Sequence, residues 1–209
     1  MADTYGDLVN EIVNESRRSM STEISNLVLD SIAHYETERF FFNEFSQSFS
    51  LSSSQATYTS ADASFIPRIM EVDTFRITVD SNYIPVLRKE TLEVFHNYDN
   101  PNSFGQPTAW AYWGQSILVD PAPDSGYAAE VSGVLQLASL SASTDANAWT
   151  QRGNGKELIK QRAKSLLYSE YLRDDANAAR AAARERDAYD VLKKRTSRLQ
   201  GTSEIAPWL

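Results

Sequence analysis

The chain has 209 residues, a formal net charge of −8 and no cysteine. This length allows one domain or one and a half, and it suffices for an ordinary hydrophobic core without disulfide or metal staples. The lack of cysteine excludes a disulfide scaffold, a thiol nucleophile and zinc-ribbon or iron–sulfur sites, and two histidines, His34 and His96, argue against a histidine-rich metal centre. The acidic start and the absence of an apolar run of roughly 18 residues predict a soluble protein made in a cytoplasm.

Charge is distributed unevenly along the chain. Residues 1–50 carry 3 basic and 9 acidic side chains, residues 51–150 carry 4 and 11, and residues 151–209 carry 13 and 8. Such polarity is typical of a protein with a partner surface, or of one that self-associates through unlike faces. The alternative is that a helical C-terminal region has collected solvated lysine and arginine side chains, and the charge counts leave both interpretations open.

Two helices are predicted near the start of the chain, at about Tyr5–Arg17 and Ser21–Asn43. Ser21 is the expected N-cap of the second helix, with Glu23 in its first turn, where the helix dipole favours an acid. One apolar stripe with spacings of three and four supports this helix; it comprises Ile24, Leu27, Val28, Ile32, Tyr35, Arg39 and Phe42. The aromatic cluster from Phe40 to Phe45 is expected where two layers of structure meet.

From Phe45 onward the hydrophobic period changes to two, which predicts strands. Phe75–Val79 and Tyr83–Val86 are predicted to form a hairpin. The residues between them tolerate a left-handed backbone, and Pro85 argues for an edge position.

A short helix is expected over Arg88–His96, and the composition of Tyr98–Pro107 predicts a loop. Three further strands in an antiparallel arrangement are predicted at residues 109–113, 116–119 and 127–137. This part of the chain therefore contributes a central antiparallel β-sheet region.

Beyond Trp149 the pattern is helical again, with an apolar stripe from Leu158 to Tyr171. Asp174 and Asp175 could cap a second, alanine-rich helix, and the sequence leaves open whether residues 155–200 form one helix or two. The order of elements predicts an α+β fold in which the C-terminal helices pack with the N-terminal helix as a bundle. The expected organisation is a single domain over residues 1–200, with helices at about 5–44, a β-rich region at about 45–148, helices at about 155–200 and a tail at 201–209.

No catalytic, cofactor-binding or metal site is predicted. Gly153–Lys156 precedes a helix, but a phosphate-binding loop needs a glycine where Thr150 stands and a hydroxyl residue where Glu157 stands. This segment is therefore interpreted as a helix-entry loop. The acids Asp120, Asp124 and Glu130 lie on or beside strands, and no spacing selects an acid–base pair among them. Both histidines are interpreted as boundary or surface residues.

Two features of the C-terminal region are candidate contact sites. The last predicted helix carries cations that could contact phosphates or an acidic protein face, although acids interrupt them; they are Arg180, Arg184, Arg186, Lys193, Lys194, Arg195 and Arg198. Trp208 and Leu209 could anchor the tail in another subunit, since one tryptophan can bury about 200 Å². A disordered tail that happens to end apolar is the alternative.

The segment from Gly114 to Tyr127 contains one strand with alternating aliphatic residues, Ile117 and Val119, followed by a Pro-x-Pro turn at Pro121 and Pro123 and then by Tyr127. It resembles the corresponding strand pair of tailed-bacteriophage head–tail adaptor (connector) proteins. The aromatic patch at residues 39–44 upstream, and Trp149 followed by a helix downstream, agree with that family in order and spacing. The resemblance covers residues from about 10 to about 200.

The resemblance implies a structural virion protein of the phage neck rather than an enzyme. Such proteins form a ring, usually a dodecamer, below the portal, where they extend the DNA channel and offer a docking platform to the next neck or tail component. The implied partners are further copies of this chain, the portal protein, a downstream neck or tail protein and, nonspecifically, the double-stranded DNA in the channel. Neither a cofactor nor a membrane is implied.

In a ring of identical subunits one face of each copy meets a different face of the next, and an acidic body with a basic helical end suits such an arrangement. Residues 156–200 are the expected portal or intersubunit contact region. The alternative function is a monomeric nucleic-acid-binding accessory protein that uses the basic helix and forms no ring.

Overall fold

The computed structural model describes residues 3–88 and 104–199. The chain divides into two compact units, a helical unit of residues 1–43 and 137–209 and a sheet unit of residues 44–136. Helices at both ends and a β-rich middle confirm the predicted α+β class. The single domain expected over residues 1–200 stays a prediction.

The helical unit begins with α1 (Tyr5–Ser16) and α2 (Ser21–Tyr35). A capping box explains where α1 starts, because the hydroxyl of Thr4 accepts from the Asp7 N–H while the Asp7 carboxylate accepts from the Thr4 N–H. The predicted N-cap of α2 is wrong. Met20 occupies that position without a side-chain hydrogen bond, and Ser21 is the first helical residue.

The second helix is also shorter than predicted, because it ends at Tyr35 rather than Asn43. The side chain of Asn43 closes a turn instead: its Oδ1 accepts from the Phe40 N–H, and its Nδ2 donates to the Glu38 carbonyl. These bonds satisfy backbone groups that a longer helix would have paired, and they direct Phe40 into the core.

The sheet unit contains eight strands among its described residues: β1 (Glu44–Leu51), β2 (Thr57–Tyr58), β3 (Ile69–Val79), β4 (Asn82–Pro85), β5 (Leu87–Arg88), β6 (Ala109–Trp113), β7 (Ser116–Asp120) and β8 (Tyr127–Leu135). They form two four-stranded sheets, ordered β1-β8-β3-β4 and β2-β7-β6-β5. All pairings are antiparallel except the two-residue parallel pair of β5 and β6.

The predicted hairpin is confirmed as β3 and β4, with Asp80 and Ser81 in the turn at φ of 48° and 67°. Pro85 lies on an edge strand, as expected. Arg88 belongs to β5 rather than to the predicted short helix. The rest of that helix, including His96, and residues 98–103 of the predicted loop lie outside the described residues.

The C-terminal region forms two helices, α3 (Lys156–Leu166) and α4 (Asp175–Leu199), joined by a π-helical turn over Leu167–Tyr171. The Asp174 carboxylate accepts from the Asn177 N–H and caps α4, which decides between the one-helix and two-helix alternatives. Side chains from α1, α2, α3 and α4 share one hydrophobic core with Phe40 and Trp149, and the sheet unit has a second core of its own.

Candidate interaction surface on the helical unit

A ladder of three lysines and two glutamates joins α3 to α1. Lys156, Lys160 and Lys164 recur every four residues and therefore lie on one face of α3, opposite Glu11 and Glu15. The Nζ–Oε distances are 2.7 Å from Lys156 to Glu11, 2.9 Å from Lys160 to Glu11 and 2.8 Å from Lys164 to Glu15. All three lysines are buried.

Asp3, Glu157 and Arg152 also take part in the ladder. With them the ladder contains four carboxylates and four cations, so its charges balance. Burial raises the pKa of Glu11, but hydrogen bonds from Lys156 and Lys160 outweigh burial and lower this pKa to about 2. Sequence reasoning missed this cluster. The four-residue lysine spacing was visible, but no local signal identifies its partners about 150 residues earlier in the chain.

Two of the predicted contact cations on α4 have partners inside the helical unit. The Lys193 ammonium lies 2.6 Å from Oε2 of Glu38 and 4.9 Å from the centre of the Phe40 ring. The Arg195 guanidinium stacks 4.1 Å from the centre of the Phe41 ring and donates to the Gly153 carbonyl. These contacts hold the C-terminal half of α4 against the turn that follows α2 and the loop that precedes α3.

The other predicted cations point to solvent. Arg180, Arg184, Lys194 and Arg198 are exposed and recur with helical spacing along one face of α4, which we call the α4 row. Within residues 3–88 and 104–199, no ion pair joins Arg184, Lys194 or Arg198 to a carboxylate. The α4 row is therefore a positively charged strip available to another molecule.

A groove of about 360 Å³ adjoins the α4 row. Its apolar lining is provided by Leu158 of α3 and by Ala188, Val191 and Leu192 of α4, and its charged residues are Glu157, Arg184 and Asp187. Val191 is 63% exposed. The arrangement can accept an apolar side chain between charged groups, as the edge of a protein interface does.

The residues that carried the family resemblance have structural roles. Gly114 adopts a φ of 55° in the turn between β6 and β7, where a left-handed backbone favours glycine. Pro121 follows β7, Pro123 is buried, and the hydroxyl of Tyr127 at the start of β8 donates to the Asp124 carboxylate.

Trp149 is 1% exposed and packs edge-on against Phe40 and Phe42, with ring centres 5.7 Å and 4.9 Å away. Gly155, at the N-cap of α3, lies so close to the Trp149 ring that a Cβ there would collide with it. Close packing on Trp149 therefore explains Gly155, whereas Gly153 adopts a left-handed φ of 78°.

Gly153–Lys156 leads directly into α3, with Gly155 at the N-cap. The helix-entry interpretation of Gly153–Lys156 is confirmed, because Lys156 is buried against Asp3 and Glu11. Glu130 pairs with Arg76 at 2.7 Å. His34 is exposed, as expected. Within the described ranges, no cluster of three or more His, Cys, Asp or Glu side chains could hold a metal ion, and no helix is long and apolar enough to cross a membrane.

The remaining predicted contacts, Trp208 and Leu209, lie outside the described residues. What the described part offers is a buried structural ion cluster, a solvent-facing basic helix and an adjoining groove.

The family model of the SU10 adaptor protein matches residues 3–206 of this chain. The chain belongs to that family of phage head–tail adaptors, which confirms the resemblance found in the sequence. Its function is therefore that of a structural adaptor in the virion, and the family indicates a structural rather than a catalytic role. Among curated proteins, no match is found.

Proposed function

We propose that this chain forms a ring, dodecameric as in the proteins it resembles, below the portal of a tailed phage. The ring extends the channel through which DNA passes and offers a docking platform to the next neck or tail component. The observation that carries the proposal is the family match over nearly the whole chain, residues 3–206. Assembly takes place in the host cytoplasm, and the ring then belongs to the virion neck.

The α4 row supports a contact with an acidic surface. The row presents four exposed cations on one helix face, and the adjoining groove can accept an apolar side chain. The sheet unit carries 4 basic and 11 acidic side chains, so its net charge is −7. In a head-to-tail ring, the basic row of one copy can therefore face the acidic unit of the next, or an acidic face of the portal.

Trp208 and Leu209 would anchor the tail in a neighbouring subunit or in the portal. They follow α4 by nine and ten residues, so the chain between them and the end of α4 can span roughly 30 Å when extended. Lys193 and Arg195 would contribute indirectly, because their contacts with Glu38 and Phe41 fix the direction in which α4 presents its basic row.

The double variant Arg184→Glu/Arg198→Glu tests the α4 row. Both side chains are exposed, so the variant should fold normally, while ring occupancy on the purified portal falls roughly tenfold at low salt. The matched control is Arg17→Glu/Arg18→Glu, which makes the same charge change at two exposed positions after α1. Particle mass and electron microscopy of portal mixed with each variant give the readout.

The outcomes separate the parts of this proposal. Equal ring occupancy by both variants would show that the α4 row does not contribute to ring assembly. Unchanged assembly after truncation at Gln200 would show the same for the tail. If the parent chain forms no ring on the portal and instead binds DNA tightly as a monomer across a range of salt concentrations, the ring proposal fails. The nucleic-acid-binding alternative would then replace it.

A further inference from the structure

The two edges of the first sheet differ in how they are protected. The β4 edge is four residues long and contains Pro85, which removes a backbone donor. The β1 edge is eight residues long and pairs only with β8. From Phe45 to Leu51 it contains no charge, proline or glycine. The devices that usually prevent strand addition are thus absent from β1.

The outer side of β1 is also physically open. A groove of about 580 Å³ runs beside it, lined by residues 47–50 and Ser52 and, opposite them, by residues 62–65. Among the described residues, no backbone hydrogen bond outside the β1–β8 ladder involves residues 46–50. Alternate N–H and C=O groups of β1 therefore face this groove without a protein partner.

Aromatic packing fixes the position of β1 itself. Phe65 packs against both Phe45 and Phe49, with ring centres 5.8 Å and 6.0 Å away. Phe49 and Leu51 are buried, whereas Gln47, two residues before Phe49, is exposed. The edge is consequently a preformed template that an added strand can pair with at little cost in ordering.

The sequence of β1 reads the same in both directions around Gln47. Phe45-Ser46-Gln47-Ser48-Phe49 is a palindrome, so two copies of β1 paired antiparallel about Gln47 match at every position. Phenylalanine stands opposite phenylalanine, serine opposite serine and glutamine opposite glutamine. Glu44 falls opposite Ser50 of the partner, so no like charges face each other.

We propose that β1 pairs with β1 of a second copy of this chain, around a twofold axis at Gln47, before the protein joins a ring. The contact joins the first sheet of one copy edge to edge with the first sheet of the other copy, and it covers the unprotected β1 edge of both. It goes beyond the proposed function, because a twofold contact cannot be the head-to-tail contact that closes a ring. The same edge must therefore be released or left on the rim when the ring forms.

A single cysteine tests the position of the axis, since the chain has no cysteine of its own. In Gln47→Cys the two sulfurs lie on directly opposite residues, whose Cα atoms are about 4.5–5.5 Å apart in an antiparallel pair. Mild oxidation should therefore yield a covalent dimer. The matched control is Ser50→Cys, equally solvent-facing on β1, whose copies would be about 20 Å apart. It should stay monomeric on a non-reducing gel.

A charge at the edge gives an independent measurement. Gln47→Lys places a cation at an exposed edge position and should convert the free protein from dimer to monomer in sedimentation, with its circular dichroism unchanged. Ala128→Lys, an equal charge change at an exposed position in the middle of the same sheet, should leave the dimer intact. Hydrogen exchange of the β1 amides should accelerate only in Gln47→Lys.

A monomeric parent chain would overturn the proposal, as would cysteine variants that cross-link equally or not at all. Protection of β1 amides without cross-linking at residue 47 would mean that a different strand covers the edge, which also overturns it. The test of the twofold dimer does not depend on whether the chain forms a ring on the portal. A ring on the portal without the twofold dimer contradicts this inference alone, and a twofold dimer without a ring contradicts the proposed function alone.

Discussion

The helical unit and the sheet unit use charge in different ways. The helical unit carries 16 basic and 17 acidic side chains, and its central cations lie buried among carboxylates. The sheet unit carries 4 and 11, and its Arg76–Glu130 pair is partly exposed. Part of the acidic N-terminal segment is therefore paired with lysines of the C-terminal segment within one unit. The α4 row and the acidic sheet unit carry the surface charge that the proposed ring contact would use.

The largest expected effect comes from removing the aromatic centre of the helical unit. Trp149→Ala should lower the free energy of unfolding of that unit by about 4 kcal/mol, because the side chain is fully buried against Phe40 and Phe42. Chemical denaturation followed by helical circular dichroism measures the loss. Trp149→Phe, which keeps an aromatic ring, should lose clearly less. Equal losses in the two variants would show that ring packing is not what stabilises the unit.

Breaking the buried ladder should have the next largest effect. Glu11→Gln should cost about 2 kcal/mol, below the usual cost for a buried ion pair, because Lys156 and Lys160 keep other carboxylates nearby. Asp30→Asn, at an exposed position on α2, is the control and should change stability by less than about 0.5 kcal/mol. A cost as small as that of the control would mean that water, rather than Glu11, solvates these lysines.

Acid should weaken the helical unit through the same carboxylates. The folded pKa of Glu11 is about 2, below its ordinary value of 4.5, so this group stabilises the fold above pH 4.5. That stabilisation is lost as the pH falls from 4.5 towards 2. Burial raises the pKa of Glu15, but the interactions with Lys164 and Lys160 outweigh burial and lower this pKa, so Glu15 adds to the slope. Unfolding free energies measured across this window should fall less steeply for Glu11→Gln than for the parent chain.

The smallest effect is expected on the sheet unit. Arg76→Met should cost the sheet unit less stability than Glu11→Gln costs the helical unit, because the Arg76 side chain is 41% exposed and its pair with Glu130 is screened by solvent. Thermal unfolding at low and high salt provides the measurement. A loss of stability comparable to that of Glu11→Gln would show that the ion pair of the sheet unit matters as much as the buried ion pairs of the helical unit.

Local signals predicted much of the fold. The capped start of α4 at Asp174, the hairpin turn at Asp80 and Ser81, and Pro85 on an edge all follow from the conformational preferences of those residues. The end of α2 was predicted wrongly because the apolar stripe continues to Phe42, while the bonds of the Asn43 side chain stop the helix earlier. A periodic pattern does not reveal a competing side-chain acceptor.

The cations predicted on the last helix fall into two groups in the structure. Helical spacing put Arg180, Arg184, Lys194 and Arg198 on one helix, and the structure leaves them exposed. Lys193 and Arg195 belong to the same prediction, and in the structure Lys193 pairs with Glu38 and Arg195 stacks on Phe41. Those partners lie more than 150 residues away in the chain, so nothing in the local sequence distinguishes an engaged cation from an exposed one.

The amino-acid order was enough to establish the α+β class, the lack of cysteine chemistry and the resemblance to phage adaptors, because each depends on composition or on short-range pattern. Tertiary packing decided which charges are internal and which edge of the first sheet is open. The physical reason is the same in both cases. Burial and strand order bring together groups that are distant in sequence, and only their proximity determines whether a charge or a backbone amide still needs a partner.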